Sequence, residues 1–462
     1  MRMTRRELFF GAGVGAVTML LASCTPEPAP TATPTATPDP MPSTAVPAPA
    51  ASLRSTWAAD PFSRGAVSYT RIGVQSQTRE TLAEPVEGRL FFAGEATDAA
   101  APGTLRGAVR SGDSAAMRLR ATAEPGERIA VIGAGLAGAA AVKRLSGSDL
   151  DITVFEARDR LGGRTQSHLD DGWGVPVQLG GWLLPAETDA ETDAEAAERL
   201  GLGASLETAD LASALWLSPD GDIDAPTDQP LVAAIAAAQA LTADISLAEA
   251  LAETGSDPED SALAALLADL ATTAGADADV LSSWFPPALP AAAREGIISD
   301  FGAVIAEMLG DAQVSLSSAV TRIAHDDTGV SLRLGTGEST SFDRVIVTVP
   351  LGVLQREGIE FSPALPFSHR GAINALGMGH AETIWLRYDE PFWQTDAVLW
   401  HTVGGEHLVR TWINLHPVTG ESILVGLVGG SAAEKFADLD ENDALLAVLT
   451  ALEAYLPSAD TD

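Results

Sequence analysis

Between Gly133 and Gly138 the chain reads Gly-Ala-Gly-Leu-Ala-Gly. A short apolar run, Arg128–Ile132, precedes it, and an Ala-rich stretch ending near Leu145 follows. A second apolar run, Asp151–Phe155, then leads to Glu156. This pattern predicts a strand, a glycine loop, a helix and a second strand, and the unit fits a dinucleotide. Gly133 permits the tight turn, Gly135 lets backbone approach a pyrophosphate, and Gly138 lets the helix pack closely on the strand. Leu136 and Ala137 open the helix, whose N-terminal amides lack intrahelical acceptors and face phosphate charge. Glu156 is placed to accept hydrogen bonds from the adenosine ribose. The loop alone does not choose between NAD and FAD.

The residues after Glu156 narrow the choice. Ala157-Arg158-Asp159-Arg160-Leu161-Gly162-Gly163-Arg164-Thr165 resembles a signature shared by flavin amine oxidases, protoporphyrinogen oxidases and carotenoid desaturases. Leu179-Gly180-Gly181-Trp182, Ala319–Ile323 around Val320, Arg344–Leu354, Ala375–Gly379 and Glu390–Trp393 continue the likeness to the flavin monoamine oxidase family. The resemblance implies noncovalent FAD, since the block that carries a flavin-linked cysteine in the mitochondrial enzymes has none here. It also implies that Gly162, Gly163 and Arg164 lie along the diphosphate, with Arg164 in a charge-assisted contact, and that Ala157 and Arg158 belong to the cofactor site. Gly180, Gly181 and Trp182 would lie near the isoalloxazine ring, and the Val320 backbone would meet the adenine.

The order of the blocks departs from the family. Trp57–Ala66, Arg89–Thr97 and Pro102–Gly112 resemble segments that the family places last, and here they come first. In this block Gly94 and Glu95 would meet the ribityl chain. Thr104, Leu105 and Ala108 would open a helix whose amides face the flavin. The helical stretch Asp443–Leu456 stops where the family would run on into the Trp57 block. The pattern predicts a circular permutation, with Ala121–Glu127 as a connector that reaches at most about 25 Å. The competing expectation is a fused fragment that does not dock, which would leave Leu90-Phe91-Phe92 exposed.

The chemistry that the resemblance implies is transfer of a hydride from an amine carbon to flavin N5, with oxygen or another acceptor taking the electrons. The cofactor carries the reaction and the protein binds and orients. The lysine that contacts flavin N5 through water in the family is replaced by Thr383, the position singled out as catalytic. The chain's lysines, Lys143 and Lys435, stand elsewhere. Two positions of the family's aromatic substrate cage are Val67 and Thr104, so ring binding of an amine is weakened. Tyr69 reads as core packing. Trp182, Trp385 and Trp412 read as pocket wall or core. A desaturase-like or protoporphyrinogen-oxidase-like dehydrogenase is the rival within flavoenzymes. A degenerate FAD-bound lipoprotein without turnover is the rival outside catalysis.

Around these motifs the 462-residue chain offers ample core, with 46% hydrophobic and 20% charged residues. A net charge of −35 argues against nucleic acid as a partner. The single cysteine, Cys24, excludes an intramolecular disulfide. Arg2, Arg5 and Arg6 before the apolar run Leu8–Ala22 read as a twin-arginine export signal, and Leu21-Ala22-Ser23-Cys24 resembles a lipoprotein cleavage site. Gly11–Gly15 mimics a dinucleotide loop but lacks a preceding strand. Expected, then, are an export signal over 1–24, a Pro/Thr/Ala-rich tether over 25–52, and a lipidated Cys24 that holds the protein on the outer face of the cell membrane. The expected fold class is α/β, with a discontinuous Rossmann-like FAD domain and a mixed-sheet and helical substrate domain. The FAD domain would gather residues 53–120, 126–184 and 296–361. Residues 185–295 and 362–462 would build the substrate domain around a small amine.

Overall fold

Ile129–Ile132 are buried in succession, the pattern of a strand covered on both faces in a parallel sheet. The computed structural model describes residues 44–185, 200, 202, 206–290 and 294–457. The signal, Cys24 and most of the tether lie outside the described residues. Within it, β4 (Arg128–Ile132) is the centre of a five-stranded sheet. The order is β13 (Gln313–Ser315), β5 (Asp151–Phe155), β4, β17 (Arg344–Val347) and β3 (Leu90–Phe92). Every pairing in it is parallel. Helices α2 (Leu105–Arg120) and α3 (Leu136–Leu145) pack on each other beside this sheet. A Cβ on Gly112 of α2 would collide with the Ala137 carbonyl of α3, so the glycine sets the approach.

The other sheets form the remainder of this mixed α/β fold. The largest has seven strands in the order β1 (Ala51–Arg54), β20 (Ala381–Arg387), β23 (Ile423–Gly429), β22 (Thr411–Asn414), β21 (Leu399–Thr402), β10 (Ala214–Ser218) and β11 (Gly221–Ile223). Three strands, β8 (Leu183–Pro185), β12 (Arg294–Ile297) and β9 (Thr208–Leu211), make a small antiparallel sheet. Four more, β16 (Ser339–Phe342), β15 (Val330–Leu334), β14 (Val320–His325) and β18 (Glu360–Ser362), make a mixed sheet in which only β14 and β18 run parallel. Two ribbons complete the set: β2 (Val67–Tyr69) with β19 (Gly377–Gly379), and β6 (Ser167–His168) with β7 (Val177–Gln178). Helices Gln229–Ala238, Leu247–Glu253 and Ser261–Ala274 share a buried apolar cluster of leucines and alanines.

The N-terminal segment is docked, and the fused-fragment expectation fails. Strand β3 is wholly buried against β17, β2 pairs with β19, and β1 pairs with β20. Two boundaries move as a result. Residues 51–52, expected in the tether, belong to β1, and Val46 is already buried in the cluster that contains Tyr455. Strand β1 also joins the seven-stranded sheet rather than the parallel one. Residues 296–361 likewise divide, giving β13 and β17 to the parallel sheet and most of the four-stranded sheet besides. Because residues 51–120 serve several sheets at once, the described residues from Thr44 onward pack as one compact unit.

Candidate active site

The sheets converge on a cavity of about 790 Å³. Its wall includes every predicted site residue except Gly138. Gly138 sits behind the loop, where a Cβ would collide with the Gly133 carbonyl and stand 3.3 Å from the Thr348 hydroxyl. That is the packing role expected of it. Six arginines stand on the wall (Arg64, Arg79, Arg106, Arg158, Arg164 and Arg294) against three glutamates (Glu95, Glu156 and Glu382). In a chain of net charge −35 the cavity is therefore locally cationic.

At the glycine-loop end, Gly133 has φ of +111°, and a Cβ there would stand 2.5 Å from the Thr348 hydroxyl. Only glycine suits such a position. The chain then turns into α3 with Gly135 as its N-cap, bridged to Gly162. A Cβ on Gly135 would meet nothing closer than 3.7 Å, which leaves backbone open to an approaching group. Glu156, buried at the end of β5, accepts from the Ala134 amide at 2.8 Å and the Arg158 amide at 2.9 Å. The carboxylate retains lone pairs for a ribose hydroxyl. Val320 and Ala157 stand on the same wall. The N-terminus of α2 opens on the cavity as well. Thr104 caps it by accepting from the Gly107 amide at 2.9 Å, and Leu105 and Ala108 follow on the wall.

The two arginines predicted for the cofactor site have protein partners. Arg158 donates to Asp60 at 2.8 Å and to the Ser63 hydroxyl at 2.8 Å, clasping the Trp57–Ala66 block to the signature loop. Arg164 donates to Glu95 at 2.9 Å and to the Ala66 carbonyl at 2.8 Å. Geometry thus gives both a joining role that short-range pattern could not reveal, because their partners lie far away in sequence. Glu95 also accepts from the Ser68 hydroxyl at 2.6 Å and from the Gly103 amide at 3.0 Å. Burial pushes the Glu95 carboxyl upward, but Arg164, the Ser68 hydroxyl and Arg79 outweigh it and hold the group below the usual carboxylate range. Arg79, buried on α1 (Thr78–Ala83), donates to the Ser68 hydroxyl at 2.8 Å and was not foreseen.

At the other end, β20 places Thr383 on the wall with its hydroxyl buried and without a partner among the described residues. Neither lysine lines the cavity. Glu382, the preceding residue, accepts from the Ser55 hydroxyl at 2.5 Å and from the amides of Trp57 and Ala58, each at 3.1 Å. Burial raises its carboxyl above the ordinary value despite these donors and His380. The sequence held one unused signal for Glu382: strand alternation puts it on the face of β20 that buries Ile384 and Leu386. Val67, Tyr69 and Thr104 are on the wall, so Tyr69 is more than core packing. Trp182 is on the wall too, whereas Trp385 and Trp412 are fully buried in the core. Arg294 of β12 was not foreseen either. It is buried on the wall and paired with Asp269 of the helix Ser261–Ala274.

Residues 35–120 and 134–462 match the family described as flavin containing amine oxidoreductase. Polyamine oxidase 4 of Oryza sativa subsp. japonica is 28% identical over 366 residues, covering 72% of this chain and 73% of its own length. Probable polyamine oxidase 4 of Arabidopsis thaliana is 27% identical over 364 residues, with 72% of each covered. Among solved structures, putrescine oxidase bound to putrescine superposes with a TM-score of 0.55 at 20% identity, covering 72% of this chain and 82% of that one. Cyclohexylamine oxidase from Brevibacterium oxydans gives a TM-score of 0.51 at 22% identity, covering 73% and 83%. Those superpositions agree with the mixed α/β fold. With most of its length matched and the predicted residues gathered on one wall, the chain belongs to the flavin containing amine oxidoreductases and is an enzyme whose cofactor is FAD.

Proposed function

We propose that the chain oxidises a small amine, whether monoamine, polyamine or amino acid, with FAD held noncovalently in the 790 Å³ cavity. The observation that carries this reading is the convergence on one wall of the glycine loop, Glu156, the Gly94–Glu95 turn, the start of α2 and Thr383. When bound, FAD supplies the chemistry by taking a hydride at N5 from the amine carbon. The amides at the starts of α3 and α2 would face the anionic groups, and Glu156 would take the ribose. Gly180, Gly181 and Trp182, on the cavity wall, would border the ring. The sole cysteine, Cys24, lies in the export signal, which supports noncovalent binding.

The acceptor is oxygen or another oxidant. Thr383 favours the second, because a hydroxyl cannot supply the positive charge that stabilises reduced oxygen species. The five-stranded sheet and its helices serve as a discontinuous Rossmann-like domain, completed by a permuted N-terminal segment. Two observations support the permutation. Strand β3 lies beside β17, and the Ala45 amide donates to Glu453 at 3.3 Å while Arg54, at the end of β1, donates to Glu441 at 2.9 Å, so the segment that leads into β1 runs beside the helix Glu441–Leu452. The export signal and Cys24 would place the enzyme on the outer face of the membrane behind its tether.

The test is an anaerobic visible spectrum of the purified protein titrated with a panel of amines and amino acids. Bleaching of the flavin band by an amine is expected, and admission of air reads the acceptor. In Thr383→Lys, peroxide release should rise at least about tenfold with the same amine, the equivalent of about 1.4 kcal/mol of barrier. A flavin band that no amine bleaches would overturn the reading.

A further inference from the structure

Three segments that do not belong to the parallel sheet meet on the cavity wall: strand β2, the end of the helix Ser261–Ala274, and the loop Phe285-Pro286-Pro287-Ala288-Leu289-Pro290. Val67 of β2 is wedged between backbones. A Cβ on Gly103, just before the start of α2, would stand 2.8 Å from one of its methyls, and a Cβ on Gly275, which caps the helix, 2.5 Å from the other. A ring at this position would have to displace backbone. Two residues along the same face of β2, Tyr69 lines the cavity with a ring. That ring lies on Gly377 of β19, where a Cβ would come within 2.2 Å of Cζ, so only glycine leaves it room. Tyr69 packs in one apolar cluster with Leu281 and Leu289, and the Ser282 amide donates to the Thr70 carbonyl at 3.0 Å. The start of loop 285–290 is thereby held beside β2. Asp244 fixes it further by accepting from the Ser282 hydroxyl at 2.8 Å and the Trp284 amide at 3.2 Å.

This stretch of wall offers hydrocarbon and few polar groups. Three of the six loop residues are proline and lack an amide N–H, and none of the six carries a polar side chain. Thr272 and Thr273 of the adjoining helix donate their hydroxyls to carbonyls of that same helix, at 2.7 and 3.0 Å. Among the described residues the cavity wall holds three glutamates, and each already has protein partners. Glu95 has Arg164 and the Ser68 hydroxyl, Glu156 has the Ala134 and Arg158 amides, and Glu382 has Ser55, Trp57 and Ala58. An ammonium stripped of water without a carboxylate partner is costly, whereas hydrocarbon gains by burial. Phe285 and Ala288 are exposed as well as on the wall, so an entering molecule can reach their side chains. We infer that the substrate is a monoamine whose body beyond the amine is apolar, and that Tyr69 and Phe285 set this specificity by contacting that body. This rests on the reading of the cavity as an amine site and narrows it away from diamines and polyamines.

Three six-carbon amines that differ only at the far end separate the classes: hexylamine, 6-amino-1-hexanol and 1,6-diaminohexane. Each is titrated into the FAD-loaded full chain under anaerobic conditions. Affinity is read from the concentration dependence of flavin bleaching, and from melting temperature and absorbance perturbation where no bleaching follows. Hexylamine should bind about tenfold or more tightly than 1,6-diaminohexane, with the alcohol between them. Phe285→Ala, at an exposed position, should weaken hexylamine about fivefold and leave the diamine unchanged. Ala288→Glu sets a carboxylate on the same loop and should strengthen the diamine about tenfold, a gain that damage to the fold cannot imitate. Equal or tighter binding of the diamine by the wild type, or a preference unchanged in both variants, would overturn the inference. The wild-type comparison decides the matter even if neither variant folds. Bleaching by all three amines without a preference removes this inference and leaves amine oxidation standing; tight, preferential binding of hexylamine with no bleaching by any amine does the reverse.

Discussion

His401 shows how one side chain can set a pH limit on the fold. It is buried, stacked on Trp216 with ring centroids 4.0 Å apart, and burial lowers its pKa to about 4, with Asp269 opposing and Arg294 assisting. The folded protein keeps it neutral, whereas the unfolded chain protonates it near the ordinary value of 6.5. Its contribution is therefore complete above that value and is lost as pH falls toward 4, in total about 3 kcal/mol. Denaturant unfolding at pH 7 and pH 4 should show the gap between wild type and His401→Gln narrowing by about that amount. At this scale the sequence disclosed the residues whose neighbours are local. The glycine loop, Glu156 and the GGR turn are legible because one β–α–β unit contains them. Arg294 and Glu382 are not, because their partners Asp269 and Ser55 come from other elements, and nothing in the spacing announces the pairing. Arg158 and Arg164 were recognised as site residues, but their clasping of Asp60 and Glu95 needed the fold.

Among elements, the joint between α2 and α3 is the most exacting. Gly112 faces Ala137 and Ala140, and both helices present their N-termini to the cavity. A larger side chain there separates the helices and spoils two anion-facing ends together. Gly112→Leu should lower stability by about 1–3 kcal/mol, read as a drop in melting temperature, and should release FAD on gel filtration. The same scale explains the one boundary that composition concealed. Ala51–Arg54 follows a run of Pro, Thr and Ala that looks like tether, yet it pairs in register with Ile384–Arg387. A four-residue strand has too little alternation to stand out beside proline-rich sequence. Its pairing is specified by β20, more than three hundred residues on. Strands β4 and β17 are legible because each carries a buried apolar run, and β5 because its apolar end, Val154-Phe155, leads into Glu156.

Over the whole molecule, the connector Ala121–Glu127 is covalently necessary only if the pieces it joins cannot hold each other. Arg344 ties it down, donating to Glu127 at 2.6 Å and to the Thr122 carbonyl at 2.7 Å, while β1, β2, β3 and α2 dock on the remainder. A protease site inserted between Ala123 and Glu124 should therefore give two fragments that co-elute after cleavage and keep their flavin. Separation of the fragments on size exclusion would show that the docked segment depends on the linkage. The pairing of β3 with β17 also sets a clock. Synthesis runs from the N-terminus, so Leu90–Phe92 leaves the ribosome about 250 residues before its partner strand, roughly 12–50 s earlier at ordinary elongation rates. For that interval three apolar side chains wait for a neighbour that does not yet exist. FAD cannot be enclosed before that neighbour emerges, so the cavity closes around its cofactor only once the two distant strands have met.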